Sequence, residues 1–365
     1  MISITKIANG IVPEVFTASM ERKLIRRNAL IQSGVIVRNS TLDSLITGAG
    51  VSITIPRFEV GEHGEDEPLT ETEAIKTEGL SQTSDIAHVL IRGRGFANHD
   101  LVSAFTGDDF VAESERRITE YWLTRSQKLF LATLNGVFAS EDMSPLVANA
   151  KGINVSASLI LDAESLLDEA SDKLNTIFVH PQTLTEMKKQ DLIEYIKPSN
   201  GGLPIPTYLN KYTVVVDSDI KLNRATGETE SYLLARGAFG GGSGMPTGLV
   251  PLGVKRDEEY GTTKLFSRRA SILHPYGFQC KNIIAKPEHK TMANADLENG
   301  LNWKRTAEIK SIGMIKINHK VEIEQWLKDK AAEEKRKEEE LARNENKSKG
   351  RGSNNLNNTD SPTLG

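Results

Sequence analysis

The chain has 365 residues, a formal net charge of -4, 26% charged and 38% hydrophobic side chains, and one cysteine, Cys280. That length exceeds what one core can serve and calls for two or three lobes, and the modest apolar share leaves part of the chain outside any core. The near-balanced charge argues against a sequence-reading DNA binder, which carries a clustered basic excess, and a lone cysteine excludes an intrachain disulfide and fits folding in a reducing cytoplasm.

Residues 1–12 read as an N-terminal arm without the charged-then-apolar layout of a signal peptide. No apolar run approaches the roughly 20 residues of a membrane span, so no membrane contact is expected. Residues 13–50 form a helix region. Pro13 suits a first helical position, Phe16, Met20, Leu24 and Arg27 with Ile31 lie near one helical face, and Ser33-Gly34 ends the helix.

Val51 to Phe58 alternates apolar and polar residues and predicts a half-exposed strand. From Glu59 to Glu78 eight acids stand against one lysine, Lys76. Ser81 to Gly95 resumes a strand pattern and ends in Arg92 and Arg94. Two strands flanking a long polar excursion predict an extended hairpin loop over 51–98. Its apolar content cannot bury it, and a loop of that length is either functional or disordered.

Asp100 to Ala104 predicts a short helix, and Asp108-Asp109 caps a longer one from Phe110 to Ala139. This stretch lacks proline, and thirty helical residues measure about 45 Å. Ile118, Trp122, Leu129 and Phe138 form its apolar seam, and its last third is apolar nearly all round and should enter the core. From Ser158 the pattern turns α/β. Helices are predicted from Asp162 to Leu174 and from His180-Pro181 through Leu192. Buried strands are predicted at Thr176–Val179, Tyr212–Val216 and Ser231–Ala235. A glycine-rich flexible loop, GAFGGGSGMPTG, is expected next, followed by strands at Leu265–Pro275 and Ser311–Ile317. Residues 321–349 read as a charged helical tail and 350–365 as disordered.

No catalytic set is legible. Gly240, Gly241, Gly242 and Gly244 lead to Met245-Pro246, where a phosphate loop requires Gly-Lys-Ser/Thr. The seven histidines lack the close pairing of a metal motif, so no metal and no cofactor are expected. Asp217 and Asp219 follow a buried strand, where carboxylates of α/β enzymes often act, but their spacing better fits a turn. Arg92, Arg94, Arg268 and Arg269 lack the interleaved aromatics of a single-strand nucleic-acid platform. A solvated surface is their bland reading. Charge pairing with the acidic stretch of a neighbouring copy uses them better, which makes Glu62, Glu65, Asp66, Glu67, Lys76, Arg92, Arg94, Arg268 and Arg269 the candidate intersubunit residues.

The element order resembles the major capsid proteins of tailed bacteriophages, which share the Hong Kong 97-like fold. The segments PEVFTASMERKLIRRNALIQSGVI, SDIAHVLIRGRGFANHDLVSAFTGDD, YWLTRSQKLFLATLNGVFA, YLLARGAFGGGSG and SRRASILHPYGFQC resemble one branch of that family. The resemblance covers residues 10 to 318 and leaves the charged tail unassigned. It implies an α+β fold with an N-terminal arm, an extended β-hairpin loop lying over an adjacent subunit, and a peripheral lobe on a long spine helix (99–157). An α/β axial lobe (158–255) and return strands completing the peripheral lobe (256–320) follow. It implies a non-enzymatic subunit that assembles with itself into pentamers and hexamers of an icosahedral shell, in the host cytoplasm, and ends in the virion. The expected partners are a separate scaffolding protein, since only a short arm precedes the first helix, a portal protein, and weakly contacted double-stranded DNA. Some relatives crosslink a lysine of the extended loop; Lys76 has no marked partner, so no crosslink is expected. A nanocompartment shell of the same fold, or an α/β enzyme with residues 59–79 as a lid, are the competing readings.

Overall fold

The computed structural model describes residues 29–47, 52–58, 82–99, 110–196 and 205–324, with isolated positions 329 and 336. The N-terminal arm, most of the first helix, the acidic stretch, the short helix at Asp100–Ala104, nearly all of the charged tail and the terminal segment lie outside these residues.

Helix α1 (Ala29–Gln32) ends at Gly34, whose φ of +79° is open to glycine at no steric cost. Strand β1 (Ile36–Arg38) and helix α2 (Ser40–Thr47) follow. Strands β2 (Ser52–Phe58) and β3 (Gln82–His88) pair antiparallel along their whole length, as the two flanking strand signals predict, and β4 (Leu90–His99) continues almost without a break. Helix α3 spans Phe110–Ala139, the bounds read from the sequence. Its first half buries Ile118 and Trp122 against Leu252 and Leu265. Its last third places Phe130, Leu131, Leu134, Val137 and Phe138 in the main core. Gly136 lets it approach closely, because a Cβ there would stand 1.8 Å from the Leu297 carbonyl oxygen.

Strand β5 (Val147–Asn154) leads to α4 (Ala157–Glu164). The helix expected over 162–174 thus starts earlier, because Ser156 caps it by accepting a hydrogen bond from the Leu159 amide at 3.2 Å. It also stops at Glu164 and continues as 3-10 turns over Ser165–Lys173, broken at Asp168 with φ +47°. Strand β6 is Leu174–Val179 and α5 is Pro181–Lys189, with His180 as its cap. The expected extension to Leu192 fails at Asp191, whose φ is +56°. Strands β7 (Ile193–Ile196), β8 (Ile205–Tyr208), β9 (Tyr212–Val216), β10 (Glu228–Ala235) and β11 (Phe239–Gly244) come next. The chain then forms β12 (Leu252–Asp257), β13 (Thr262–Pro275), β14 (Phe278–Cys280), α6 (Asn294–Leu297), β15 (Trp303–Arg305) and β16 (Met314–Lys320).

Strand β11 corrects the loop expected at the glycine run. All six of its residues pair with β13, and it also flanks β1. Glycine is depleted in strands, so composition pointed the wrong way. Here the missing side chains make room: a Cβ on Gly242 would lie 2.9 Å from Leu42 Cβ of α2, and one on Gly240 would lie 2.6 Å from the Tyr276 hydroxyl.

Among the described residues the strands form three sheets. Seven strands run in the order β5-β16-β10-β6-β9-β8-β7, mixed parallel and antiparallel. Five strands gather around β13, which pairs with β11, β12 and β4. Four run β15-β14-β3-β2. Pairing crosses the lobe boundaries drawn from sequence: β11 joins β13, while β16 lies between β10 and β5. These are long-range pairings that no local signal encodes. No helix among the described residues is long and apolar enough to cross a membrane.

Candidate assembly surface

The β4–β13 ladder sets Arg92 opposite Arg269, Gly93 opposite Arg268, and Arg94 opposite Ser267. Side chains alternate between faces with period two, so Arg92, Arg94, Ser267 and Arg269 share one face and Arg268 takes the other. The shared face meets helix α3. Trp122 Nε1 donates to Ser267 Oγ at 3.0 Å, and Arg269 Nη1 donates to Ser126 Oγ at 3.2 Å. Arg268 instead donates to the Val250 carbonyl at 3.1 Å. The four arginines expected to act together are therefore split by the sheet.

Helix α3 adds a residue the sequence reading missed. Arg125 lies over the Tyr121 ring at 5.3 Å and Arg94 over the same ring at 5.9 Å. Phe96 supports that ring edge-on at 5.8 Å. The i,i+4 spacing of Tyr121 and Arg125 on a helix was the available signal. Between ladder and helix opens a cavity of about 360 Å³, lined by Arg92, Tyr121, Trp122, Arg125, Ser126 and Arg269 among others. Burial pushes the Arg92 guanidinium down from its ordinary value, and Asp296 and Tyr121 act against that shift. It stays cationic, as arginine does in proteins. Asp296 is the nearby carboxylate, but its oxygens already accept from the Ala285 and Ala293 amides at 3.0 and 2.8 Å.

The base of the hairpin is fastened by buried polar side chains. Asp85 on β3 accepts from the Gly277 amide at 2.9 Å and from the Thr306 hydroxyl at 2.6 Å. His88 donates from Nε2 to the Cys280 carbonyl at 2.9 Å, which leaves Nδ1 to accept from the Ser52 hydroxyl at 2.9 Å. Glu62, Glu65, Asp66, Glu67 and Lys76 lie outside the described residues. Asp217 and Asp219 form the expected turn, with the Asp219 amide donating to Asp217 Oδ1 at 2.8 Å, and Asp219 meets Lys128 of α3 at 3.4 Å.

No family model matches the chain. Solved phage capsids share its mixed α+β fold. The capsid of Ralstonia phage GP4 aligns with a TM-score of 0.50 at 12% identity, over 82% of this chain and 91% of that one. The capsid of cyanophage Pam1 aligns with a TM-score of 0.51 at 12% identity, over 81% of this chain and 93% of that one. The fold is thus that of a phage capsid subunit. The major capsid protein of Bacillus phage SPP1 is 31% identical over 327 residues, spanning 87% of this chain and 99% of that protein. The chain belongs to the phage major capsid protein family. It is a shell subunit and virion component, and it associates with copies of itself in the capsid lattice.

Proposed function

We propose that this subunit forms pentamers and hexamers that close into an icosahedral head around double-stranded DNA, without catalysis of its own. The seven-stranded sheet with α4 and α5 serves as the axial lobe. The five-stranded sheet with α3 as spine serves as the peripheral lobe. The β2–β3 hairpin carries the extended loop. Assembly takes place in the host cytoplasm with a separate scaffolding protein and a portal.

One observation carries this reading. Seven residues of β2 pair with seven of β3 on a buried, hydrogen-bonded base, and the segment joining them holds eight acids, one lysine and few apolar anchors. Ordering such a segment costs roughly 1–2 kcal/mol per residue. Docking on another copy, through charge complementarity and backbone pairing, offsets that cost. A contact between unlike patches repeats head to tail and closes into rings when its rotation allows. The net charge of -4 suits a wall that contains DNA without gripping it.

Expression with and without the scaffolding protein, followed by negative-stain microscopy, tests the proposal. Closed shells are expected with the scaffold. Free monomers under every condition would overturn it.

A further inference from the structure

We infer that the cavity between β4, β13 and α3 binds a tetrahedral oxyanion of the phosphate class, held by Arg92, Arg125 and Arg269. The site is independent of loop docking and needs only the fold of one subunit.

Like charges face one another here. The β4–β13 register sets Arg92 directly opposite Arg269, and both side chains lie on the sheet face that meets α3. Cross-strand neighbours of this kind have Cβ atoms about 4.5–5.5 Å apart, and two cations so placed destabilise a sheet. Helix α3 adds a third from the other side, since Arg125 lines the same cavity. Such a cluster calls for a negative partner.

No acid is among the described residues that line the cavity. The nearby carboxylate, Asp296, acts on Arg92 through its charge. Its two oxygens are already committed, one to the Ala285 amide at 3.0 Å and one to the Ala293 amide at 2.8 Å. Nη2 of Arg92 is buried with no hydrogen-bond partner among the described residues. The space measures about 360 Å³, many times the ~30 Å³ share of one water. Water can satisfy the buried N–H groups, but it leaves three charges unbalanced.

The lining favours phosphate over a carboxylate. A carboxylate is planar and takes one guanidinium fork in a single plane. Here donor-bearing residues line the cavity from several elements: Arg92 of β4, Arg269 and Ser271 of β13, Arg125 of α3 and Asn294 of α6. A phosphate group carries close to two negative charges and at least three strong acceptor oxygens that point in different directions. That matches three cations set around one space. The Tyr121 ring holds Arg125 by its face at 5.3 Å and leaves the guanidinium edge to donate. Free phosphate and the phosphodiester of a nucleic acid present the same group.

Titration calorimetry of the full-length subunit with inorganic phosphate, in chloride buffer, tests the site. One saturable site per subunit is expected, and Arg92→Gln and Arg125→Gln should each weaken it at least ten-fold. Arg268→Gln is the internal control. Arg268 adjoins Arg269 but lies on the opposite face of the sheet, where it donates to the Val250 carbonyl, so this variant should bind as the native subunit does. Sulfate should displace phosphate, and acetate at the same concentration should not. A short DNA duplex separates the two sources. Displacement by the duplex would show that the cavity admits a phosphodiester, and phosphate binding without displacement would restrict it to free oxyanions; either outcome agrees with the site. Phosphate should also raise the thermal unfolding midpoint of the native subunit and leave that of Arg92→Gln unmoved. That variant should fold without phosphate, because it has lost one of two facing cations. Absence of saturable binding, an equal loss in Arg268→Gln, or displacement by acetate as readily as by sulfate would overturn the assignment.

Discussion

His274 Nε2 stands 3.8 Å from Asp85 Oδ2, and both side chains are only 1% exposed. Together with the Gly277 amide and the Thr306 hydroxyl, this pair ties the hairpin strand β3 to the β13–β14 turn and to the chain leaving β15. Burial pushes the Asp85 carboxyl up, but the neighbouring His274 ring and the hydrogen bonds from Thr306 and Gly277 outweigh it and hold the group below its ordinary value. Asp85→Ala should cost about 2–4 kcal/mol, because it leaves buried donors unpaired. Denaturant unfolding checks this; a loss below ~0.5 kcal/mol would be the size of a surface change and would contradict it. The folded value lies below the unfolded one, so this stabilisation is present above about pH 4 and fades as pH falls through the folded value.

His319 predicts a second pH window. It donates from Nδ1 to the Lys320 carbonyl at 3.2 Å and accepts at Nε2 from the Ser231 hydroxyl at 2.7 Å, within the seven-stranded sheet. Burial pushes its pKa down to about 4. An unfolded chain binds that proton near pH 6.5 and the folded chain only near 4, so stability is full above 6.5 and declines between the two values. The decline amounts to roughly 3 kcal/mol. Unfolding measured at pH 5 and pH 7 should show about 2 kcal/mol of it, and His319→Gln should flatten the difference. An unchanged slope in the variant would assign the pH dependence to other groups.

Gly242→Val should destabilise the subunit by about 1–3 kcal/mol through overpacking against Leu42. Gly253→Ala is the matched contrast, because its added Cβ meets nothing closer than 3.7 Å. It should change stability by less than about 1 kcal/mol. Equal effects at the two sites would argue against close approach of α2 to β11.

Deleting residues 60–78 should leave a folded, soluble subunit, because the seven-pair hairpin base and its Asp85 contacts lie outside the deletion. Its unfolding midpoint should match that of the full chain, while sedimentation finds no closed shells. An unfolding free energy lowered by several kcal/mol would mean that the loop stabilises its own subunit.

How much of this was legible depended on the range of each signal. Phe110–Ala139 was readable to the residue because thirty positions without proline carry one continuous seam. Tyr212–Val216 was readable as a short apolar run. Strand β11 was not, since its glycines are explained only by Leu42 and Tyr276, both distant in sequence. The strands β7, β8 and β12 carry too little apolar pattern to announce themselves. The arginines at 92, 94, 268 and 269 were chosen for charge alone. Only the pairing of β4 with β13 shows that Arg268 faces away and that Arg125 of α3 completes the group. The acidic stretch was legible from composition alone, as eight acids against one lysine.

The most direct measurement is a cryo-electron microscopy reconstruction of shells assembled from the full chain. Density for residues 59–81 is expected to cross onto a neighbouring subunit. Density for the same residues folded against their own subunit would contradict it.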